Sequence, residues 1–217
     1  MLFQIPDVLA ADELDQLQKK MGEASLIDGK ATAGWYAKQV KNNQQLQSRD
    51  GKPLETLVKK ALLRHPLFQT AVRPKQLHTL RFSRYGPGMS YGTHADNAIM
   101  DGGRADVSFT LFLNQPADYA GGELVIEGAD NEQTYKLTPG TAIVYPSSTL
   151  HRVNPVTQGQ RLVAVGWVQS QVRDPARREL LFDIDTVRRS LFAQHGKTVE
   201  FDLLSKSVSN LLRRWAE

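Results

Sequence analysis

Two histidines, an aspartate and an arginine carry the most distinctive chemistry in this chain. His94 and Asp96 are separated by one residue, His151 follows after 54 more, and Arg161 after a further nine. Two imidazoles and a carboxylate offer two nitrogen donors and one oxygen donor. Such a set can occupy three positions on one face of a divalent ion and leave the opposite positions open. That suits Fe(II), and Zn(II), Mn(II) and Co(II) can bind the same atoms. Arg161 adds a guanidinium, which grips a carboxylate through two parallel hydrogen bonds more specifically than lysine does. The four residues together read as a centre that holds a metal ion and an anionic co-substrate. His65, His78 and His195 lack a partner at ligand spacing and read as structural.

The elements that must position these groups are strands. Short segments with turn signals between them cover roughly 76–85, 90–96, 106–113, 122–127, 133–137, 141–145, 149–154 and 161–169. Val107, Phe109, Leu111 and Leu113 share one face of their strand, and Leu124 and Ile126 alternate with charged or outward positions. Eight such strands predict a double-sheet jelly roll. If residues 94–96 are extended, His94 and Asp96 project from one face. His151 must arrive from a distant strand, which a jelly roll brings alongside. For Arg161 a hairpin gives a register. If the strands around His151 and Arg161 pair about Val156, the two residues stand opposite each other, about 5 Å apart, and both point inward. That parity also turns Val163, Val165 and Trp167 inward and Leu162, Ala164, Gly166 and Val168 outward, and a slip of one residue would reverse it. Tyr85 and Thr149 are candidates to help hold the same anion through their hydroxyls, and Tyr91 is a further candidate near the site.

Around this core the chain reads as helical. Leu2–Ile5 is a short strand, and a helix follows over about 11–21 with Leu14, Leu17 and Met21 on one face. Gly34–Val40 reads as a strand, and the amide-rich run Asn42–Gln45 as a helix start, a connector or a loop near a substrate. Leu54, Leu57, Val58, Ala61 and Leu62 predict an amphipathic helix over 53–64, with Pro53 in its first turn. Two more helices are expected at 175–194 and from 199 onward, forming a hairpin that packs on the barrel or on another subunit and leaves a homo-oligomer possible. The expected class is α+β: a jelly-roll core at 77–170, an N-terminal α/β supporting segment at 1–76 packed on it, and a C-terminal helical hairpin at 171–217.

Composition narrows the function classes. With 217 residues, of which 41% are hydrophobic, the chain can bury a substantial core. It has no cysteine, which excludes disulfides, thiolate zinc sites and iron–sulfur ligation. The start of the chain does not resemble a signal peptide, and no run approaches 18 apolar residues, so a cytoplasmic protein without a membrane span is expected. The net charge is +4, with the basic excess late in the chain at Arg173, Arg177, Arg178, Arg188, Arg189, Arg213 and Arg214. These read as solvated helix faces rather than a nucleic-acid surface.

The same residues carry a family resemblance. Tyr85-x-x-Gly88, His94-x-Asp96, Ser108–Leu113, Gly121-Gly-Glu-Leu124 and His151 with Arg161 resemble the prolyl/lysyl-hydroxylase branch of the Fe(II)/2-oxoglutarate dioxygenase superfamily. With Gly34-Trp35-Tyr36, Lys41-Asn42-Asn43 and the helical tail, the whole chain is similar to the bacterial PKHD-type hydroxylases of the PiuC/YbiX family. The resemblance implies a double-stranded β-helix, iron held by His94, Asp96 and His151, and 2-oxoglutarate held by Arg161 with Tyr85 or Thr149 helping. It further implies L-ascorbate as reductant, a link to iron uptake, and hydroxylation by O2 with decarboxylation of 2-oxoglutarate to succinate and CO2. The small-molecule or peptide substrate is left unidentified. Two alternatives stand beside this reading: a non-catalytic iron-binding or iron-sensing protein on the same scaffold, and a nucleic-acid demethylase. A mere metal binder has no need of Arg161.

Overall fold

Alternation along one strand sets the layers of the molecule. Val107, Phe109, Leu111 and Leu113 lie in an apolar layer beneath the helices. The intervening Ser108 and Thr110 line a pocket, and Phe112 joins a second apolar cluster. A strand with both faces covered must lie in the middle of a sandwich.

The computed structural model describes residues 2–217, residue 48 through its backbone alone. In chain order the early strands are β1 (Phe3–Ile5), β2 (Leu26–Asp28), β3 (Lys41–Asn42), β4 (Gln44–Leu46), β5 (Pro74–Leu77) and β6 (Arg81–Tyr85). They continue as β7 (Ser90–His94), β8 (Ile99–Met100), β9 (Gly103–Arg104), β10 (Val107–Phe112), β11 (Tyr119–Gly121) and β12 (Leu124–Glu127). The last are β13 (Glu132–Tyr135), β14 (Ala142–Pro146), β15 (His151–Val153), β16 (Val156–Gly159) and β17 (Arg161–Ser170). The helices are α1 (Ala11–Glu23), α2 (Ser48–Arg64), α3 (Pro66–Val72), α4 (Pro175–His195) and α5 (Val199–Trp215).

Two antiparallel sheets form the expected jelly roll. The larger runs β1-β14-β10-β17-β6-β4-β2, with β5 also on β17, and the smaller runs β13-β12-β15-β7-β3. Helices α1 to α3 cover the outer face of the larger sheet. Leu17 and Met21 of α1, Val58 and Leu62 of α2, and Phe68 of α3 are buried there against Phe82, Phe109 and Ala164. Each such side chain contributes about 1.5–3 kcal/mol on burial, so this layer fixes the larger sheet firmly. Between the sheets Tyr85, Phe112, Leu124, Ile143, Tyr145 and Val163 form the second cluster. Helices α4 and α5 make a third, smaller one with each other around Leu181 and Val208.

Several expectations need correction. Residues 34–40 form no strand. Lys38, Gln39 and Val40 close local backbone hydrogen bonds to Gly34, Tyr36 and Ala37, and Ala37–Gln39 is a 3-10 turn. The amide run is no loop, because it supplies β4 and part of β3. Helix α2 starts five residues before Pro53, since Asp50 and Gly51 already donate to the Gln47 carbonyl. The 76–85 strand is broken into β5 and β6, both paired with β17.

The hairpin of residues 151 and 161 does not exist. Strand β15 pairs with β12 and β7 in the smaller sheet, and β17 pairs with β10, β6 and β5 in the larger. Between them β16 pairs with β11, so the chain crosses from one sheet to the other. The inferred parity still holds, because period-two alternation along β17 does not depend on its partner. Arg161, Val165 and Trp167 line the pocket and Val163 lies between the sheets, whereas Leu162, Ala164 and Val168 face the helices. In the tail, Arg178 donates to the carbonyls of Val172 and Arg173, and Arg188 and Arg189 both bind Asp185. Those bonds commit three of the late arginines to the tail's own structure.

Candidate metal centre

Cross-strand pairing, not a hairpin, brings the two imidazoles together. On the β15·β7 ladder His151 is the direct partner of His94, and their ring centroids are 4.4 Å apart. The Nδ1 of His94 lies 2.9 Å from the Gly92 carbonyl and that of His151 lies 3.0 Å from the Thr149 carbonyl. A carbonyl only accepts, so each Nδ1 carries a proton and Nε2 is the ring atom turned toward a metal. Asp96 lies just beyond the end of β7, where its backbone N–H donates to the Ser147 carbonyl. Its carboxylate oxygens lie 3.9 Å from His94 Nε2 and 3.8 Å from His151 Nε2. These separations are too long for hydrogen bonds and suit ligands converging on one ion. Ligand atoms of all three residues fall within 4.8 Å of one another. Burial, reinforced by the neighbouring His151, lowers His94 to about 4, so its imidazole is neutral at pH 7, as metal binding requires. The donor set therefore fits a divalent ion such as iron(II).

The supporting residues come from both sheets, Ser108 and Tyr145 from the larger and Tyr91 from β7 itself. Ser108 on β10 donates to Asp96 Oδ2 at 2.5 Å and lies 2.8 Å from Ser147 Oγ. Tyr91 stacks on His94 with centroids 3.7 Å apart, and Tyr145 meets His151 edge-on at 5.0 Å. Burial pushes the phenols of Tyr85, Tyr91 and Tyr145 above the usual range, so they stay protonated. Ser108→Ala should lower iron affinity roughly tenfold or more without unfolding the chain. Chelator competition beside a thermal melt checks this, and unchanged affinity would mean that Asp96 orients itself.

Arg161 lies in the same pocket and is only 1% exposed. It pairs with Tyr85 across β17·β6, and its guanidinium sits 5.1 Å from the Tyr85 ring and 5.5 Å from the Phe112 ring. It has no carboxylate partner among the described residues, and its Nε and the Tyr119 hydroxyl are buried without hydrogen bonds. Thr149 differs from expectation. Its side chain is not part of the pocket wall, and it serves the site through the carbonyl that orients His151. His65 and His195 end helices, and His78 hydrogen-bonds to the Arg104 carbonyl at 2.8 Å, so all three lie outside the cluster. Ser108, Thr110 and Tyr145 join the site beyond the residues expected there. Ser108 and Thr110 did leave a signal, as the polar members of an otherwise apolar strand.

The pocket encloses about 910 Å³ of empty space, its mouth included. Thr32, Gly34, Tyr36 and Ala37 form part of its wall, and the Tyr36 hydroxyl donates to the Ala95 carbonyl at 2.6 Å. No residue of α4 or α5 lines it.

Sequence relatives decide the family. Over 219 aligned residues, and the whole of both chains, the protein is 65% identical to a PKHD-type hydroxylase of Picosynechococcus sp.. The chain belongs to the PKHD-type hydroxylases. A second member, from Acaryochloris marina, is 63% identical, again over the whole of both chains. Within this hydroxylase the 2OG-Fe(II) oxygenase superfamily profile matches residues 80–169, and the PKHD-type hydroxylase C-terminal domain matches residues 175–217, which hold α4 and α5. Among solved structures, a Pseudomonas putida prolyl-4-hydroxylase aligns with 78% of the hydroxylase and 92% of its own chain, at 23% identity and a TM-score of 0.55. A viral collagen prolyl hydroxylase from Paramecium bursaria Chlorella virus-1, solved with 2OG, covers 78% and 96% at 19% identity, with a TM-score of 0.54. These two share the fold. The PKHD-type hydroxylase is thus a 2-oxoglutarate-dependent dioxygenase whose family works with iron(II), 2-oxoglutarate and O2. None of its helices is long and apolar enough to cross a membrane among the described residues.

Proposed function

We propose that this hydroxylase binds iron(II) through His94, Asp96 and His151, holds 2-oxoglutarate through Arg161 with help from Tyr85, and hydroxylates a C–H bond of a substrate entering beside residues 32–43. The observation that carries the proposal is Arg161: a buried guanidinium without a carboxylate partner, in the pocket that contains the triad. A buried charge left unpaired costs several kcal/mol, so such a site calls for an anion. Iron held by the triad, with O2, supplies the oxidising power: one oxygen atom goes to the substrate, the other to succinate, and CO2 leaves.

The chain's own groups position and shield. His94 and His151 present Nε2 atoms fixed by the Gly92 and Thr149 carbonyls, and Ser108 orients Asp96. Arg161 receives the far carboxylate, and the protonated Tyr85 hydroxyl is a donor beside it. Tyr91 and Tyr145 screen the imidazoles from water. The reaction needs no general acid or base from the protein. Residues 77–170 carry the chemistry in this reading, residues 1–76 close the pocket, and residues 171–217 stand apart from it. Ascorbate as reductant and a role in iron homeostasis belong to the proposal through the family resemblance alone.

Anaerobic addition of iron(II) and 2-oxoglutarate should produce the visible charge-transfer band of the bound pair, and admitting O2 should release succinate. Iron demonstrably bound without that band would defeat the proposal. It would leave the iron-binding or iron-sensing alternative, against which the buried Arg161 argues.

A further inference from the structure

Besides Arg161, the pocket wall holds two more cations, Lys41 and Arg81, and Asp96 is the single acid among its residues. Lys41, on the edge strand β3, is 6% exposed. Among the described residues its ammonium meets one hydrogen-bond partner, Thr32 Oγ1 at 3.2 Å, and lies 5.2 Å from the Tyr91 ring centroid. Two of its three N–H donors remain uncommitted. A polar chain ties it to the larger sheet. Thr32 Oγ1 lies 2.6 Å from Gln45 Oε1, and Gln45 Nε2 donates to Ser83 Oγ at 3.2 Å. Ser83 is flanked on the same inward row of β6 by Arg81 and Tyr85.

The Arg81 guanidinium makes no hydrogen bond or ion pair among the described residues. Asp101 is an acid whose field reaches it, but that carboxylate accepts from the Thr79 N–H at 2.6 Å. Burial and the field of Arg81 lower Lys41 to about 8, against weaker opposing pulls from Asp96 and Asp28. Arg81 stands apart from the co-substrate's arginine along the sheet. Arg81 lies opposite Val165, whereas Arg161 lies opposite Tyr85. The four intervening steps along β6 separate those two backbone positions by about 13 Å, which sets Arg81 apart from a five-carbon diacid anchored at Arg161 and the triad. In the loaded pocket the charges of iron match the two carboxylates of 2-oxoglutarate, and Asp96 matches Arg161. Lys41 and Arg81 stay unmatched.

Resting on the hydroxylase reading above, we propose that the substrate is an anion whose carboxylate or phosphate is held by Lys41 and Arg81 together. The lysine supplies a compact charge at a buried point, and the arginine a planar fork that fits two oxyanion oxygens. The hydroxylated carbon is then a part of the substrate remote from its charge, directed toward the open face of the triad.

The test uses the full chain with iron(II) and saturating 2-oxoglutarate under anaerobic conditions, so that Arg161 is occupied. Calorimetric titration compares benzoate, phenyl phosphate and the neutral benzamide. The wild-type protein should prefer one anion over benzamide by about tenfold or more, the scale of one charge-assisted hydrogen bond. The better anion identifies carboxylate or phosphate. Lys41→Met and Arg81→Met should each remove the preference, and Lys41→Arg should keep most of it. Thermal melts confirm that each variant is folded. Equal binding of benzamide, no binding of any probe, or full anion preference in both methionine variants would overturn the proposal. The charge-transfer band reports separately on 2-oxoglutarate. A missing band in the wild type would defeat the hydroxylase reading, whereas a normal band without anion preference would defeat the substrate assignment alone.

Discussion

Replacing Arg161 by methionine is expected to weaken 2-oxoglutarate binding by roughly two to three orders of magnitude and to leave iron affinity within about twofold. Two charge-assisted hydrogen bonds in a buried site, at about 1.5–3 kcal/mol each, account for that range. Methionine fills similar volume against Tyr85 and Phe112, so the two-sheet core should survive. Stability without ligands should hold or rise, because the substitution removes a buried charge that has no carboxylate partner. Anaerobic titration of the visible band measures the co-substrate, chelator competition measures iron, and a melt of the ligand-free protein measures stability. Equal losses of iron and 2-oxoglutarate would mean that Arg161 holds the sheets in place and grips no anion.

Asp96→Asn should be more severe for iron. The change is isosteric, and the Ser108 hydroxyl can still donate to the remaining carbonyl oxygen, so the backbone beyond β7 should not move. What is lost is the one carboxylate among the three donors. Iron affinity should fall by more than about a hundredfold, beyond the range typical of groups that only support a ligand. The visible band should be absent at micromolar iron. Metal analysis after gel filtration, with folding checked by circular dichroism, provides the measurement. Iron retained at wild-type stoichiometry would assign the oxygen donor elsewhere.

The site was legible where chemistry restricts residue type, and less so where geometry depends on distant partners. His94, Asp96 and His151 stood out because few side chains can donate to a metal. The jelly roll was legible from alternation, as in Val107–Leu113, whose two faces pack where the pattern put them. The route from His151 to Arg161 was not. It depends on β16 pairing with Tyr119–Gly121, three residues that carry no apolar alternation. The inward turn of Arg161 could still be inferred, since alternation within β17 is a local property. Residues 34–40 misled for the opposite reason. Trp35, Tyr36 and Val40 favour strands, but the segment closes on itself, and Trp35 is left 83% exposed beside the pocket wall. Lys41 and Asn43 give no local sign of their position, because burial there is created by β7 and the 3-10 turns.

The two imidazoles belong to the smaller sheet and Arg161 to the larger, and the Ser108–Asp96 hydrogen bond ties one sheet to the other beside the metal site. In the proposed site, metal and anion anchor would thus be mounted on opposite jaws of a caliper whose opening is set by how the sheets stack, about 10 Å face to face. A co-substrate is then gauged by its length. A shorter 2-oxo diacid anchored at the triad falls short of Arg161, and a longer one must buckle. The helices behind the larger sheet brace one jaw, so side chains that never touch the pocket help to fix which acid the enzyme accepts.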